Sequence, residues 1–125
     1  MLAYPQPTGM IARIWHGYTT VENANRYEAV KKREMLPGIS TVRGYVGSYL
    51  LRRSKGGEVE FVVIMLWASL DAIRNFVGAD YEAAVVPPDC EALLSRYDER
   101  SAHYEIVIQT SARDASSGRD TSSGA

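Results

Sequence analysis

Few side chains in this sequence could do chemistry, and they fall on two short alternating stretches. Residues 10–18 read MIARIWHGY and residues 102–108 read AHYEIVI. Side chains alternate across a strand, so residues two apart share a face. Arg13 and Trp15 therefore share a face of the first stretch, and His103 and Glu105 share a face of the second. An imidazole titrates near neutral pH and is well suited to take a proton from a phenol or an activated carbon. A phenolate or carbanion formed that way can pass an electron to dioxygen without a cofactor. The protein must then supply deprotonation, exclusion of water and a counter-charge for the anion. His103 is thus the candidate general base, and Arg13 the candidate anion stabiliser. Both have plainer readings. His103 could be structural, bonded to Glu105 or to a neighbouring strand, and Arg13 could pair with Glu105 or Glu60 across strands. If Glu105 pairs with Arg13, both are structural; if Arg13 is free, it is poised for an anionic ligand. His16, near the end of its stretch, reads as a rim or surface residue.

These residues need elements to hold them. Residues 10–18 predict a first strand. Thr19-Thr20-Val21-Glu22 has the spacing of a capping box, and a helix should follow to about Leu36. Its apolar stripe is Ala24, Tyr27, Val30 and Met35, its last turns carry Lys31, Lys32 and Arg33, and Pro37-Gly38 ends it. A second strand over 43–54 leads to the glycine turn Lys55-Gly56-Gly57-Glu58. Residues 59–68 are apolar on both faces and predict a central strand covered on both sides. Ser69 caps a helix over Leu70–Val77, ended by Gly78. A helical stretch over 81–86 is broken by Pro87-Pro88, another helix fits within 89–97, and 102–108 is the last strand.

The order βαββαβ is the ferredoxin-like α+β motif, an antiparallel sheet with helices on one face. The doubly apolar third strand then needs cover on its second face. A second copy, sheet against sheet, is the simplest cover and makes a homodimeric α/β barrel. If Val62, Ile64 and Leu66 face the helices, then Phe61, Val63, Met65 and Trp67 face the barrel. Ala12, Ile14, Tyr104, Ile106 and Ile108 suit the helix side, which turns Arg13, Trp15, His103 and Glu105 toward the barrel. In the second strand Tyr45, Tyr49 and Leu51 form the class better suited to line a cavity. The expected substrate-binding set is Trp15, Tyr45, Tyr49, Phe61, Met65, Trp67 and Glu105, with Arg13 and His103 as the catalytic pair. A slip of one residue reverses any of these faces. Such aromatic walls suit a small hydrophobic or aromatic molecule, phenolic or polyketide-like.

The whole chain sets further bounds. Its 125 residues suit one domain, and a net charge of −1 gives no electrostatic reason to expect nucleic acid or an anionic membrane as partner. No apolar run approaches the roughly 20 residues that span a bilayer. Gly56-Gly57 sits in a hairpin and opens no helix, so no phosphate-binding loop is present. One Cys and two His are poor material for a metal site. No metal, haem, flavin or nucleotide cofactor is expected, and Cys90 reads as a small buried residue. Residues 1–9 predict a loose leader without a secretory signal, with Met10 an alternative start and the cytoplasm the default location. Residues 109–125 are small and polar and predict a disordered tail, leaving 10–108 as the folded domain.

The run Phe61-Val62-Val63-Ile64-Met65-Leu66-Trp67-Ala68-Ser69-Leu70-Asp71-Ala72-Ile73, with Phe76 beyond it, resembles the third strand and second helix of the antibiotic biosynthesis monooxygenase family. Pro37-Gly38 followed by Gly44-Tyr45 is similar to that family's Pro-Gly-Phe loop and second strand, spread by a few residues. The resemblance spans 10–108. It implies the dimeric ferredoxin-like fold and a cavity lined by Trp67. The family holds cofactor-free quinone-forming monooxygenases and haem-degrading enzymes. The haem-degrading pattern has an Asn on the first strand and a His on the helix after the Trp strand. Here residues 10–18 hold no Asn, and Ala83-Ala84-Val85-Val86 stands at the helix. The resemblance therefore implies a cofactor-independent monooxygenase and argues against haem. A non-catalytic binding or stress-related barrel, or a cyclase or isomerase, are the alternatives on the same fold.

Overall fold

The computed structural model describes residues 9–112. The expected leader, apart from Gly9, and residues 113–125 of the expected tail lie outside them. The elements run β1 (Ile11–Thr20), α1 (Val21–Met35), β2 (Tyr45–Lys55), β3 (Glu58–Trp67), α2 (Leu70–Val77), α3 (Pro88–Glu91), β4 (Arg96–Tyr97) and β5 (Ala102–Glu105). The sheet is antiparallel, in the order β2-β3-β1, and both β4 and β5 pair with the free edge of β1. The last strand of the βαββαβ motif is thus broken in two. Among the described residues, no helix is long and apolar enough to cross a membrane.

Local chemistry explains the boundaries. Thr20, not Thr19, caps α1: its hydroxyl accepts from the Asn23 amide, and Thr19 Oγ1 instead donates to the Leu93 carbonyl at 2.5 Å. The expected capping box therefore does not form. Ser69 caps α2 through the Ala72 amide. Gly56 and Gly57 both have positive φ, as the two-residue turn between β2 and β3 requires. Residues 81–87 are not the expected helix. Ala83 bridges Arg100, and the Ala84 amide donates to Glu99 O, so this segment forms a strap across the end of the sheet. The helix expected within 89–97 shrinks to one turn, because Ser95 and Asp98 turn their amides to the carbonyls of Tyr18 and His16 on β1. At the other end of the molecule a Cβ on Gly44 would lie 2.4 Å from that of Ala72, so only glycine lets α2 pack there.

The two faces of the sheet are the reverse of the sequence expectation. Ile11, Trp15, Phe61, Val63 and Trp67 are buried under the helices. Ile11, Trp67, Leu70, Ala72 and Ile73 form one core cluster; Ala24, Tyr27, Val59, Phe61 and Cys90 form the other. Each fully buried large apolar side chain is worth about 1.5–3 kcal/mol. Val62, Ile64, Leu66, Ala12, Ile14 and Tyr104 occupy the opposite, open face. Arg13, Met65 and His103 share a row of the sheet, as do Ile11, Trp67 and Glu105. The residues of β1, β3 and β5 assigned to one face do share it; that face is the helix side. In β2 a bulge between Tyr45 and Gly47 switches the alternation. Tyr45 consequently lies on the helix side opposite Trp67, and Tyr49 lies on the open face opposite Ile64.

Candidate functional site

The helices do not seal the sheet completely. Between β1, β3, α1 and the strap is a cavity of about 170 Å³. From the sheet it is lined by Arg13, Trp15, Val63 and Met65, and from α1 by Tyr27, Lys31, Glu34 and Met35. Phe76, the strap residues Val85–Pro87, and Cys90 complete most of the wall. Trp15 is fixed by its indole N–H, which donates to Asp98 O at 2.8 Å, and its ring lies over Gly17, where a Cβ would come within 2.5 Å of it.

Arg13 is the unusual member. It is only 6% exposed, and among the described residues no carboxylate is bonded to it. Its guanidinium donates to the carbonyls of Tyr81 and Ala83 on the strap, the second at 2.9 Å, and meets His103 Nε2 at 2.8 Å. Burial pulls its pKa below the ordinary arginine value. The expected carboxylate partners are elsewhere. Glu105 is exposed at the sheet edge, and Glu60 lies on the open face, where it accepts from Arg53 Nε at 2.6 Å. His103 can accept from Arg13 only as neutral imidazole, with the proton on Nδ1. Burial first, and then the Arg13 charge, push its pKa below the ordinary histidine value. Nδ1 is buried without a partner among the described residues. His103 stands behind Arg13 and is not part of the cavity wall, and its ring packs edge-on against Tyr81 at 5.1 Å. His16 sits at the surface as expected, with Nδ1 2.8 Å from Asp98 Oδ2.

Of the expected binding residues, Trp15 and Met65 line this cavity with Arg13. Phe61, Trp67 and Tyr45 share its face of the sheet but are packed into the core. Trp67 meets Tyr45 at 5.7 Å and Phe76 at 5.2 Å, and it is Phe76 that reaches the cavity. Tyr49 is 57% exposed on the open face. Sequence reasoning missed the α1 contribution. Tyr27, Lys31, Glu34 and Met35 are spaced i, i+4, i+7 and i+8, one stripe of a helix. A Lys and a Glu on the inward stripe were the available signal. They satisfy each other, with Lys31 Nζ 2.5 Å from Glu34 Oε1.

The fold and site define a ferredoxin-like α+β protein with a small cavity between its sheet and helices. Solved structures place that fold among antibiotic biosynthesis monooxygenase structures. A putative antibiotic biosynthesis monooxygenase from Bacillus cereus is 19% identical with a TM-score of 0.59, over 83% of this chain and 99% of its own. SnoaB, a cofactor-independent oxygenase from Streptomyces nogalater, is 18% identical with a TM-score of 0.52, over 85% and 99%. The haem degrader MhuD from Mycobacterium tuberculosis, solved with two haems in its active site, is 19% identical with a TM-score of 0.54, over 81% and 99%. No family model and no curated protein matches the sequence. The resemblance read from Phe61 onward thus holds at the level of fold.

Haem does not fit the residues present. A cavity of about 170 Å³ cannot admit a porphyrin, and no imidazole lines it. Among the described residues, no group of three or more His, Cys, Asp or Glu could hold a metal ion.

Proposed function

We propose that this chain is a homodimeric, cofactor-independent monooxygenase acting on a small phenolic or polyketide-like compound held between sheet and helices. The observation that carries this reading is Arg13, a buried cation in a cavity wall with no anion bonded to it among the described residues. Retaining an unpaired buried charge is costly, and an anionic ligand would repay that cost. A phenolate beside Arg13 is stabilised relative to the phenol, which favours loss of the proton and electron transfer to dioxygen. For a simple phenol the overall change is phenol plus dioxygen to quinone plus water. One oxygen atom enters the ring, and the other leaves with the two hydrogens lost from O–H and C–H. The ring supplies the four electrons. His103 orients Arg13 through Nε2. It becomes free to take the phenolic proton only when Arg13 turns from it to the ligand.

A second reading has its own support. The one imidazole near the cavity has its lone pair engaged, and the cavity's one carboxylate, Glu34, is paired with Lys31. A chain without a free base would bind such a molecule without turning it over. Oxygen uptake with anthrone- and hydroquinone-type compounds separates the two. The monooxygenase should consume oxygen, and Arg13→Met and His103→Ala should each lose most of that uptake. Tight binding without uptake would assign the chain to the binding class.

A further inference from the structure

The walls of the cavity say more about the ligand than that it is anionic. Tyr27 is fully buried, its ring is held edge-on against Phe61 at 4.8 Å, and it lines the cavity. Its hydroxyl has no hydrogen-bond partner among the described residues. Buried hydroxyls are nearly always bonded, so one that is not invites a partner from outside the chain. The groups that act most strongly on its titration after burial itself are Cys90 and Glu34, and both line the same cavity. All three push its pKa upward, so the hydroxyl stays protonated and is available as a donor.

The other polar groups in the wall are differently placed. Lys31 and Glu34 neutralise one another. Arg13 uses three of the five N–H groups of a guanidinium on Tyr81, Ala83 and His103, which leaves two without a partner among the described residues. Arg13 and Tyr27 therefore have unused hydrogen-bonding capacity, one cationic and one neutral, at different points of a wall that also holds the Lys31–Glu34 pair and Ser101 and is otherwise apolar. The volume sets the remaining limit. A cavity of about 150 Å³ lined by apolar side chains holds one benzene ring. At about 170 Å³ this one has room for one six-membered ring with a small substituent at either end.

We infer that the ligand is a single aromatic ring with two oxygen substituents, the acidic one held by Arg13 and the other accepting from the Tyr27 hydroxyl. This rests on the reading that the cavity is the binding site, and it narrows the ligand from polycyclic compounds to monocyclic ones. Calorimetric titration of the full chain with hydroquinone, para-hydroxybenzoate, para-methylphenol and a three-ring anthrone tests it. Hydroquinone and para-methylphenol are nearly the same size and differ in the second oxygen. Hydroquinone should bind about tenfold tighter than para-methylphenol, the usual worth of a buried hydrogen bond. Tyr27→Phe should remove that preference and leave para-methylphenol affinity within about twofold, and the anthrone should bind more weakly than the single rings. Because the lost hydroxyl makes no bond in the free protein, the variant should melt at the wild-type temperature. Should it fail to fold, the comparison of the two phenols on the wild type still decides the role of the second oxygen. Equal affinity for hydroquinone and para-methylphenol, or a preference that survives in Tyr27→Phe, overturns the assignment of Tyr27. Tighter binding of the anthrone overturns the single-ring limit. Both results leave the cavity a binding site. Failure of every compound to bind removes the cavity reading itself.

Discussion

The contact between Arg13 and His103 makes one protonation state of the imidazole part of the folded structure. Protonated His103 has no lone pair for Arg13 to donate to, and it would place a second positive charge 2.8 Å from the first. Burial and Arg13 both lower the folded pKa, while the unfolded chain keeps the ordinary value near 6.5. Above that value both states are neutral, and His103 makes no pH-dependent contribution. As pH falls below it the unfolded state takes up the proton first, so stability drops until the folded value is reached. Denaturant titrations at about pH 7.5 and about pH 5.5 should show this loss in the wild type. In His103→Gln, whose amide oxygen can accept from Arg13 and does not titrate, the loss should be smaller. Parallel losses in the two proteins would mean that Arg13 does not depend on the state of His103. Arg13 was recognisable as a candidate from its place two residues before Trp15. Its partners were not, because carbonyls from a distant strap leave no mark in sequence.

At the scale of elements, Arg13 is the β1 side chain that donates to the carbonyls of the strap over residues 81–87. Arg13→Met leaves the carbonyls of Tyr81 and Ala83 without their donor. The segment should loosen while β1, β2 and β3 remain paired. Hydrogen exchange should speed up about tenfold or more at the Ala84 and Ser101 amides, which bond Glu99 O and Glu82 O, with little change in the β1–β3 ladder. Uniform acceleration would instead indicate global destabilisation. The neighbouring device is Gly17. In Gly17→Ala the new Cβ cannot coexist with the Trp15 ring, so the ring must shift and strain its bond to Asp98. Overpacking of this kind costs about 1–3 kcal/mol, and both melting temperature and affinity for a cavity ligand should fall. The elements most legible in sequence were those with strong local chemistry: β3, the diglycine turn, and α2 between Ser69 and Gly78. The faces were not legible, for a physical reason. β3 is apolar on both sides, so its alternation does not say which side meets the helices. Placing Arg13 and His103 away from the helices followed from giving Ala12, Ile14 and Tyr104 to the helix side, and the cavity under the helices reverses that assignment here. The bulge after Tyr45 was hidden as well, since an extra residue in an edge strand needs no distinctive side chain.

Among the described residues of the whole molecule, nothing covers one face of the sheet. Three rows cross it: Ala12 and Leu66; Ile14, Ile64 and Tyr49; His16, Val62 and Leu51. Tyr49, Leu51 and Tyr104 are 57%, 46% and 58% exposed. A contiguous apolar patch of this kind marks an interface, and the homodimer proposed above would cover it. At one end Arg53, Glu58, Glu60 and Arg96 supply a rim of both charges. Sedimentation at micromolar concentration should give about twice the chain mass of 13.8 kDa. Ile64 is the centre of the middle row and does not contact the helix-side core. Ile64→Lys should therefore fold, and it should weaken the dimer by about a hundredfold through a buried, unpaired charge. A wild type that is monomeric and well folded would sink the dimer. It would not sink the cavity, because Arg13, Trp15, Tyr27 and the strap all belong to one chain and face away from the open side. Monomeric Ile64→Lys should accordingly keep its affinity for hydroquinone within about threefold of the wild type. A variant that folds as a monomer and no longer binds would show that the second copy shapes the site through the sheet it packs against.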